Sequence, residues 1–186
     1  MDSSSIRRVS LEQRLQVVED RFAINDLLVR YAILLDDRRF EEVGMLFTDD
    51  GVFSSPNSRT VGRAAIIENF RVKHEGFVAT WHDPHASLAH IVDAEHAQGT
   101  VIGYAELAGP DHAITTSIRY QDDYRRVDGR WLFASRHVLS LYGMTNHEWV
   151  DGAMGITDRK RWPGRPVGPA ELPDVDQRFP GYLGQL

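Results

Sequence analysis

Ala113-Ile114-Thr115-Thr116-Ser117-Ile118-Arg119-Tyr120-Gln121-Asp122-Asp123-Tyr124-Arg125-Arg126-Val127, the pair Asp128-Gly129, and Trp131-Leu132-Phe133-Ala134-Ser135-Arg136-His137-Val138-Leu139 together decide the fold. Two runs rich in β-branched and aromatic residues flank an Asp-Gly pair, whose backbone freedom suits a tight hairpin turn. Upstream, Ala86 to Ala94 and Ala97 to Ala108 are of the same kind, with Ala94-Glu95-His96 and Gly109-Pro110-Asp111 as turns. Four strands, the last running from Trp131 to Gly143, make an antiparallel meander. The first half of the chain has another period. Leu11, Leu15, Val18, Phe22, Leu27, Leu28, Tyr31 and Leu35 recur at helical spacing and predict one long helix, bent near Asp20. Phe40 to Phe47 predicts a second helix, stopped by Thr48-Asp49-Asp50-Gly51; Val52 and Phe53 begin a strand, and Val61 to Phe70 forms a third helix. Helices followed by strands are the α+β order, in which helices pack on one face of a curved antiparallel sheet and leave a pocket between the layers.

The 186 residues suit one domain with appendages: an N-terminal arm over 1–10, the domain over 11–143 and a C-terminal arm over 144–186. That last arm is rich in glycine and proline, so it stays out of long regular structure, and Trp149, Trp162, Phe179 and Tyr182 give it something to bury. It is expected to act as a lid or a subunit-crossing arm; a disordered tail is the alternative. With no cysteine there is no disulfide and no thiolate nucleophile. A net charge of −6 has the wrong sign for tracking phosphate backbones, so no nucleic-acid partner is expected. No apolar run approaches the roughly 18 residues of a membrane span. Met1-Asp2-Ser3-Ser4-Ser5-Ile6-Arg7-Arg8 lacks the apolar core of a secretory signal, and a cytoplasmic location is expected.

Four polar residues stand in segments that otherwise read as core: Tyr31 and Asp36 late in the long helix, His82 before the meander and Arg136 in its last strand. A neutral histidine is a competent general base near neutral pH, and a carboxylate on its other ring nitrogen fixes the tautomer and stabilises the imidazolium. Asp36 would be that carboxylate. Arg136 or Tyr31 could stabilise negative charge on a substrate oxygen, or Tyr31 could protonate a departing hydroxyl. Such a set needs no cofactor. Tyr31 and Asp36 are five residues apart, about 140° around a regular helix, so they converge only if Asp36 sits at a turned helix end. Strict alternation puts Arg136 on the face opposite Phe133 and His137. The bland readings are a solvated helix end for Asp36, a core tyrosine for Tyr31 and an edge salt bridge for Arg136. His82, His85 and His90 do not converge on a strand, and no metal is expected.

Taken in order, Ile24-Asn25-Asp26-Leu27-Leu28-x-x-Tyr31 with Asp36, Phe47-Thr48-Asp49-Asp50-Gly51-Val52-Phe53, Gly62-Arg63, Thr80-Trp81-His82 and Tyr124-x-x-x-Asp128-Gly129-x-Trp131-x-Phe133 resemble the SnoaL-like, polyketide-cyclase-like branch of the NTF2-like superfamily. Within it the chain is most similar to scytalone dehydratase, bile-acid 7α-dehydratase and hexachlorocyclohexane dehydrochlorinase. That resemblance implies a cone-shaped α+β barrel and a catalytic Asp-His dyad on Asp36 and His82, with Tyr31 and Arg136 as further active-site residues. It also implies a second histidine, for which His85, His112 and His137 are candidates. Phe53, Trp81, His85, Tyr104 and His137 are expected at the substrate, with Phe22, Phe47 and Phe70 also available as apolar lining. The expected activity is a cofactor-independent lyase acting on a small hydrophobic cyclic or aromatic hydroxylated substrate. It would proceed by elimination or by retro-aldol cleavage releasing a small aldehyde, in a homo-oligomer, dimer or trimer. The alternatives are a ketosteroid-isomerase-like isomerase, a non-catalytic subunit like the small subunit of ring-hydroxylating dioxygenases, and a ligand-binding module.

Overall fold

The structure, a computed structural model, describes residues 10–152 and 158–170. Helix α1 (Leu11–Asp36) opens on a capping box, in which the Ser10 hydroxyl accepts from the Gln13 amide and the Gln13 side chain accepts from that of Ser10. It runs unbroken past Asp20. That carboxylate is buried and receives the Trp131 indole N–H, the Gln16 amide and the Arg126 guanidinium, which accounts for an acid on the inner face. After α1 come α2 (Phe40–Gly44), β1 (Phe47–Ser55), β2 (Ser58–Val61) and α3 (Arg63–His74), then β3 (Ala79–Ile91), β4 (His96–Ala108), β5 (Ala113–Val127), β6 (Arg130–Thr145) and α4 (Asn146–Val150).

The sheet is open and six-stranded in the order β2-β1-β6-β5-β4-β3. The expected meander forms its larger part. Contrary to a wholly antiparallel sheet, β1 lies parallel to β6, because the chain returns through α3 and three strands before β6 fills the place beside β1. The first meander strand also begins at Ala79 rather than Ala86 and carries Pro84 in its interior. Among the described residues no helix is long and apolar enough to cross a membrane.

Three bulges set which side chains face inward. His85 is the extra residue of β3 against β4, Ala134 of β6 against β5, and Leu141 of β6 against β5 again. Each flips the period-two alternation, and together they bend the sheet around α1. At the first, Gly103 lets the backbones close up, since a Cβ there would stand 3.0 Å from the Asp83 carbonyl oxygen. The core between sheet and helices takes Ile24, Leu27, Leu28 and Leu35 from α1, Phe47 and Phe53 from β1, Ile66 and Phe70 from α3, and Val101, Tyr120, Tyr124 and Phe133 from the sheet.

Beyond β6 the described part of the C-terminal segment lies along that strand. Gly143 donates to the Arg159 carbonyl and accepts from the Arg161 amide, and Trp162 packs where Gly143 has no side chain. Trp149 packs edge-on against Tyr142. Phe179 and Tyr182 fall outside the described residues.

Gly99 faces the Tyr124 ring so closely that a Cβ would sit 2.7 Å from it. Gly99→Ala is therefore expected to destabilise the fold by about 1–3 kcal/mol through overpacking, read as a lower urea midpoint at unchanged slope.

Candidate active site

Asp36 is the last residue of α1, and the turn after it closes through Arg38, which takes a left-handed φ of 58°. The Arg38 guanidinium holds that turn by donating to the carbonyls of His74 and Phe77. A carboxylate at a helix C-terminus meets the unfavourable end of the dipole, and three donors offset this here. The His82 backbone amide donates to Oδ2 at 2.8 Å, the Thr80 hydroxyl to Oδ1 at 2.9 Å, and the His82 ring stands with Nδ1 2.6 Å from Oδ1. An ionised carboxylate only accepts, so Nδ1 carries the proton and Nε2 presents its lone pair.

His82 faces a cavity walled by Leu28, Tyr31, Tyr104, Ile118, Tyr120 and Arg136. Its volume is about 10 Å³, room for about one water molecule. A larger concavity of about 710 Å³ lies between α1, α2 and the β5–β6 turn, but it holds none of these groups. The polar groups singled out in the sequence are gathered at the small cavity, not at the large one.

Arg136 lies at the base, 1% exposed, with Nε and Nη2 each 3.0 Å from a carboxylate oxygen of Asp122, itself wholly buried. The Tyr124 hydroxyl donates to the same carboxylate at 2.9 Å. Above and below the guanidinium are the rings of Tyr120, Tyr31 and Phe133, with centroids 4.0, 4.3 and 4.3 Å from its central carbon. Burial pushes the guanidinium pKa down more than any other single influence, but the Asp122 charge and hydrogen bonds, together with Tyr31 and Tyr120, outweigh it and the pKa stands above its ordinary value. Burial pushes the Tyr31 hydroxyl well above the usual phenol range and Tyr120 up to about 12, while Arg136 and a hydrogen bond with Tyr31 pull the Tyr120 value back. Both phenols are therefore neutral donors at physiological pH.

His82, Tyr31 and Arg136 thus line one cavity, Asp36 stands behind His82 and is bonded to it, and Tyr104 contributes to the wall. The 140° separation of Tyr31 and Asp36 is bridged by His82, which bonds to Asp36 at the helix end and shares the cavity wall with Tyr31. Other expectations require correction. Phe53 lies in the core against Phe70, at 4.8 Å between ring centroids. Trp81 is 62% exposed, because alternation turns it away from the face of His82. His85 is the bulge residue, exposed and stacked on Tyr104 outside the cavity. His137 points to the other face of the sheet and bonds to the Ser54 hydroxyl at 2.8 Å. Arg136 shares a face with Phe133 rather than opposing it, since the bulge at Ala134 resets the alternation. Phe22 is exposed, Phe47 and Phe70 are core, and His112 lies in the exposed β4–β5 turn.

Sequence reasoning missed Thr80, His74, Tyr120 and Asp122. Ile118-x-Tyr120-x-Asp122-x-Tyr124 alternates in register through β5, so a carboxylate on a core face was the available signal for Asp122. His74 offered none, because it ends a helix among charged residues. It is buried, with Nδ1 2.8 Å from the Phe70 carbonyl and its ring 6.5 Å from that of His82. A carbonyl only accepts, so Nδ1 bears the proton; Nε2 is buried without a partner. Among the described residues no cluster of three or more His, Cys, Asp or Glu is placed to hold a metal ion.

A model of the SnoaL-like domain matches residues 16–137. Among solved structures, a candidate scytalone dehydratase from Novosphingobium aromaticivorans aligns at 22% identity and TM-score 0.68, over 86% of this chain and 97% of its own. A type 2 hexachlorocyclohexane dehydrochlorinase aligns at 20% identity and TM-score 0.68, over 82% and 99%. A protein of unknown function from Mycobacterium tuberculosis aligns at 26% identity and TM-score 0.61, over 70% and 75%. No curated protein matches the chain.

Truncating one partner of a fully buried ion pair strands the other charge, so Arg136→Met should cost about 3–5 kcal/mol of stability. The double variant Arg136→Met/Asp122→Leu should recover much of that loss; denaturant titration of the four proteins checks it.

Burial lowers the His74 pKa, against the opposing bond to Phe70. In the unfolded chain the same group takes up a proton more readily, so its contribution to stability is present above the ordinary histidine value and is lost as pH falls below it. His74→Phe should flatten the fall of stability as pH drops below about 6.5, measured as melting temperature against pH.

Proposed function

The chain belongs to the SnoaL-like domain family, and we propose that it is a cofactor-independent lyase. Its substrate would be a small hydrophobic, cyclic or aromatic hydroxylated compound, and its reaction an acid/base elimination. The observation that carries this reading is His82, fixed by Asp36 at 2.6 Å through Nδ1 and at 2.8 Å through its own backbone amide, with its ring at a cavity that also holds Tyr31, Tyr120 and Arg136. In the proposed step Nε2 of His82 removes a proton from the carbon next to a substrate carbonyl, a C=C bond forms as the C–O bond to the β-hydroxyl breaks, the hydroxyl leaves as water on taking up a proton, and Asp36 stabilises the imidazolium. Tyr31 and Tyr120, whose hydroxyls are bonded to each other, donate to the oxygen that gains charge or to the hydroxyl that leaves. Arg136 acts through Tyr31, since Asp122 engages two of its nitrogens.

Fold-level neighbours that include a candidate scytalone dehydratase and a dehydrochlorinase are consistent with elimination. Their identities carry the fold and not the substrate. An isomerisation would employ the same base and the same phenols, and what distinguishes it is whether a group leaves.

The test is a panel of cyclic β-hydroxyketones followed for loss of water by ultraviolet absorbance, with product mass as the check. Asp36→Asn should keep the melting transition yet lower turnover about 10²–10⁴-fold, as expected when a general base loses its orientation and charge partner. Full turnover in a folded Asp36→Asn protein would overturn the dyad. A product of unchanged mass would replace elimination by isomerisation.

A further inference from the structure

Helix α1 is apolar on two sides. Ile24, Leu27, Leu28, Tyr31 and Leu35 face the sheet. On nearly the opposite side Leu11, Leu15, Val18, Phe22, Val29 and Ile33 are exposed, Phe22 at 68% and Leu11 at 78%. At 100° per residue these six fall in one stripe centred about 155° from the buried one, and the stripe runs about 33 Å along the helix. Asn25 lies in its middle. Every residue from Leu11 to Glu19 is exposed, so the first turns of the helix extend past the body that buries the rest. A stripe of this length on a helix with so little cover marks an interaction surface.

The flanks say what covers it. Arg14 and Arg21 border one side; Glu12, Glu19 and Asp26 border the other, with Arg30 beyond them. The spacing of Leu11, Leu15, Val18, Phe22, Asn25 and Val29 alternates four and three residues, the repeat of a two-stranded coiled coil. With two copies parallel about a twofold along the helix, each basic flank meets the partner's acidic flank: Arg14 against Glu19, and Arg21 against Asp26. Antiparallel copies would set basic against basic and acidic against acidic. We infer that a second copy of this chain covers the stripe, α1 against α1 in parallel, with Asn25 paired across the axis to fix the register. The acidic edge continues into the concavity lined by Asp26, Ile33 and Met45, which gives the partner further apolar surface. This pairing is independent of the chemistry proposed above.

Sedimentation of the full chain should show a particle with an even number of copies, and Phe22→Glu should halve its mass while the circular dichroism melt is kept. The chain has no cysteine, so Leu11→Cys supplies a single reporter. Parallel helices put two copies of it side by side and mild oxidation should link them, whereas antiparallel helices hold them about 33 Å apart. Arg14→Glu/Arg21→Glu and Glu19→Arg/Asp26→Arg should each associate poorly alone and combine on mixing. A monomer at every concentration, as when the stripe is covered by the chain's own arm, would overturn the inference. So would a particle mass indifferent to Phe22→Glu, or a Leu11→Cys protein that associates but does not cross-link.

Discussion

A guanidinium buried to 1% exposure must be matched in charge and direction, and Arg136 is matched by Asp122 through two bonds of 3.0 Å. Much of the site's shape follows from that requirement. Two strands are held in register by the pair, β5 supplying the acid and β6 the base. Three rings close over the cation, one of them Tyr31, so α1 is tied to the sheet at the level of the cavity. Electrostatically the pair is nearly neutral. What the cavity meets is a charge-compensated guanidinium beside a polarised phenol rather than a bare positive charge.

The dyad is built on a different logic. Asp36 ends its helix where the dipole is unfavourable, and His82 lies on a strand that follows two helices and a hairpin. Their union is secured by backbone geometry as well as by side chains, because the His82 amide itself donates to Asp36. A histidine held by both its ring and its main chain has little freedom to rotate, and its Nε2 keeps one direction at the cavity.

The long helix, the third helix and the meander were legible in the sequence, because periodicity and turn chemistry are local; β2 and α4 were not, and the four polar residues were singled out by standing in core-like segments and by the family resemblance. What could not be read were the bulges. A one-residue insertion at Ala134 moves Arg136 onto the face of Phe133 and sends His137 to the other, while the insertion at His85 lifts that histidine out of the wall. Nothing in Ala-Ser-Arg-His or Asp-Pro-His-Ala announces the count of residues on the opposing strand. The exposed Trp81 has the same origin in pleating, since it precedes His82 and the two cannot share a face. His74 was hidden for another reason: its role depends on the distance between α3 and β3, which no local pattern encodes.

Helix α1 joins the interior and the surface in one element. Its inner face carries Tyr31 to the cation and Asp36 to the imidazole; its outer face carries six large apolar groups into solvent. That double character is a cost to an isolated protomer, since apolar surface left in water forgoes about 25 cal/mol per Å² of stabilisation. It also means that whatever covers the outer stripe bears on the inner one, because a rigid helix transmits position along its length. Tyr31 and Asp36 fall in the last two turns, beside Val29 and Ile33 of the stripe. The same helix end meets β3 through the 2.6 Å bond between Asp36 and His82, so the outer stripe and the cavity are built on one element.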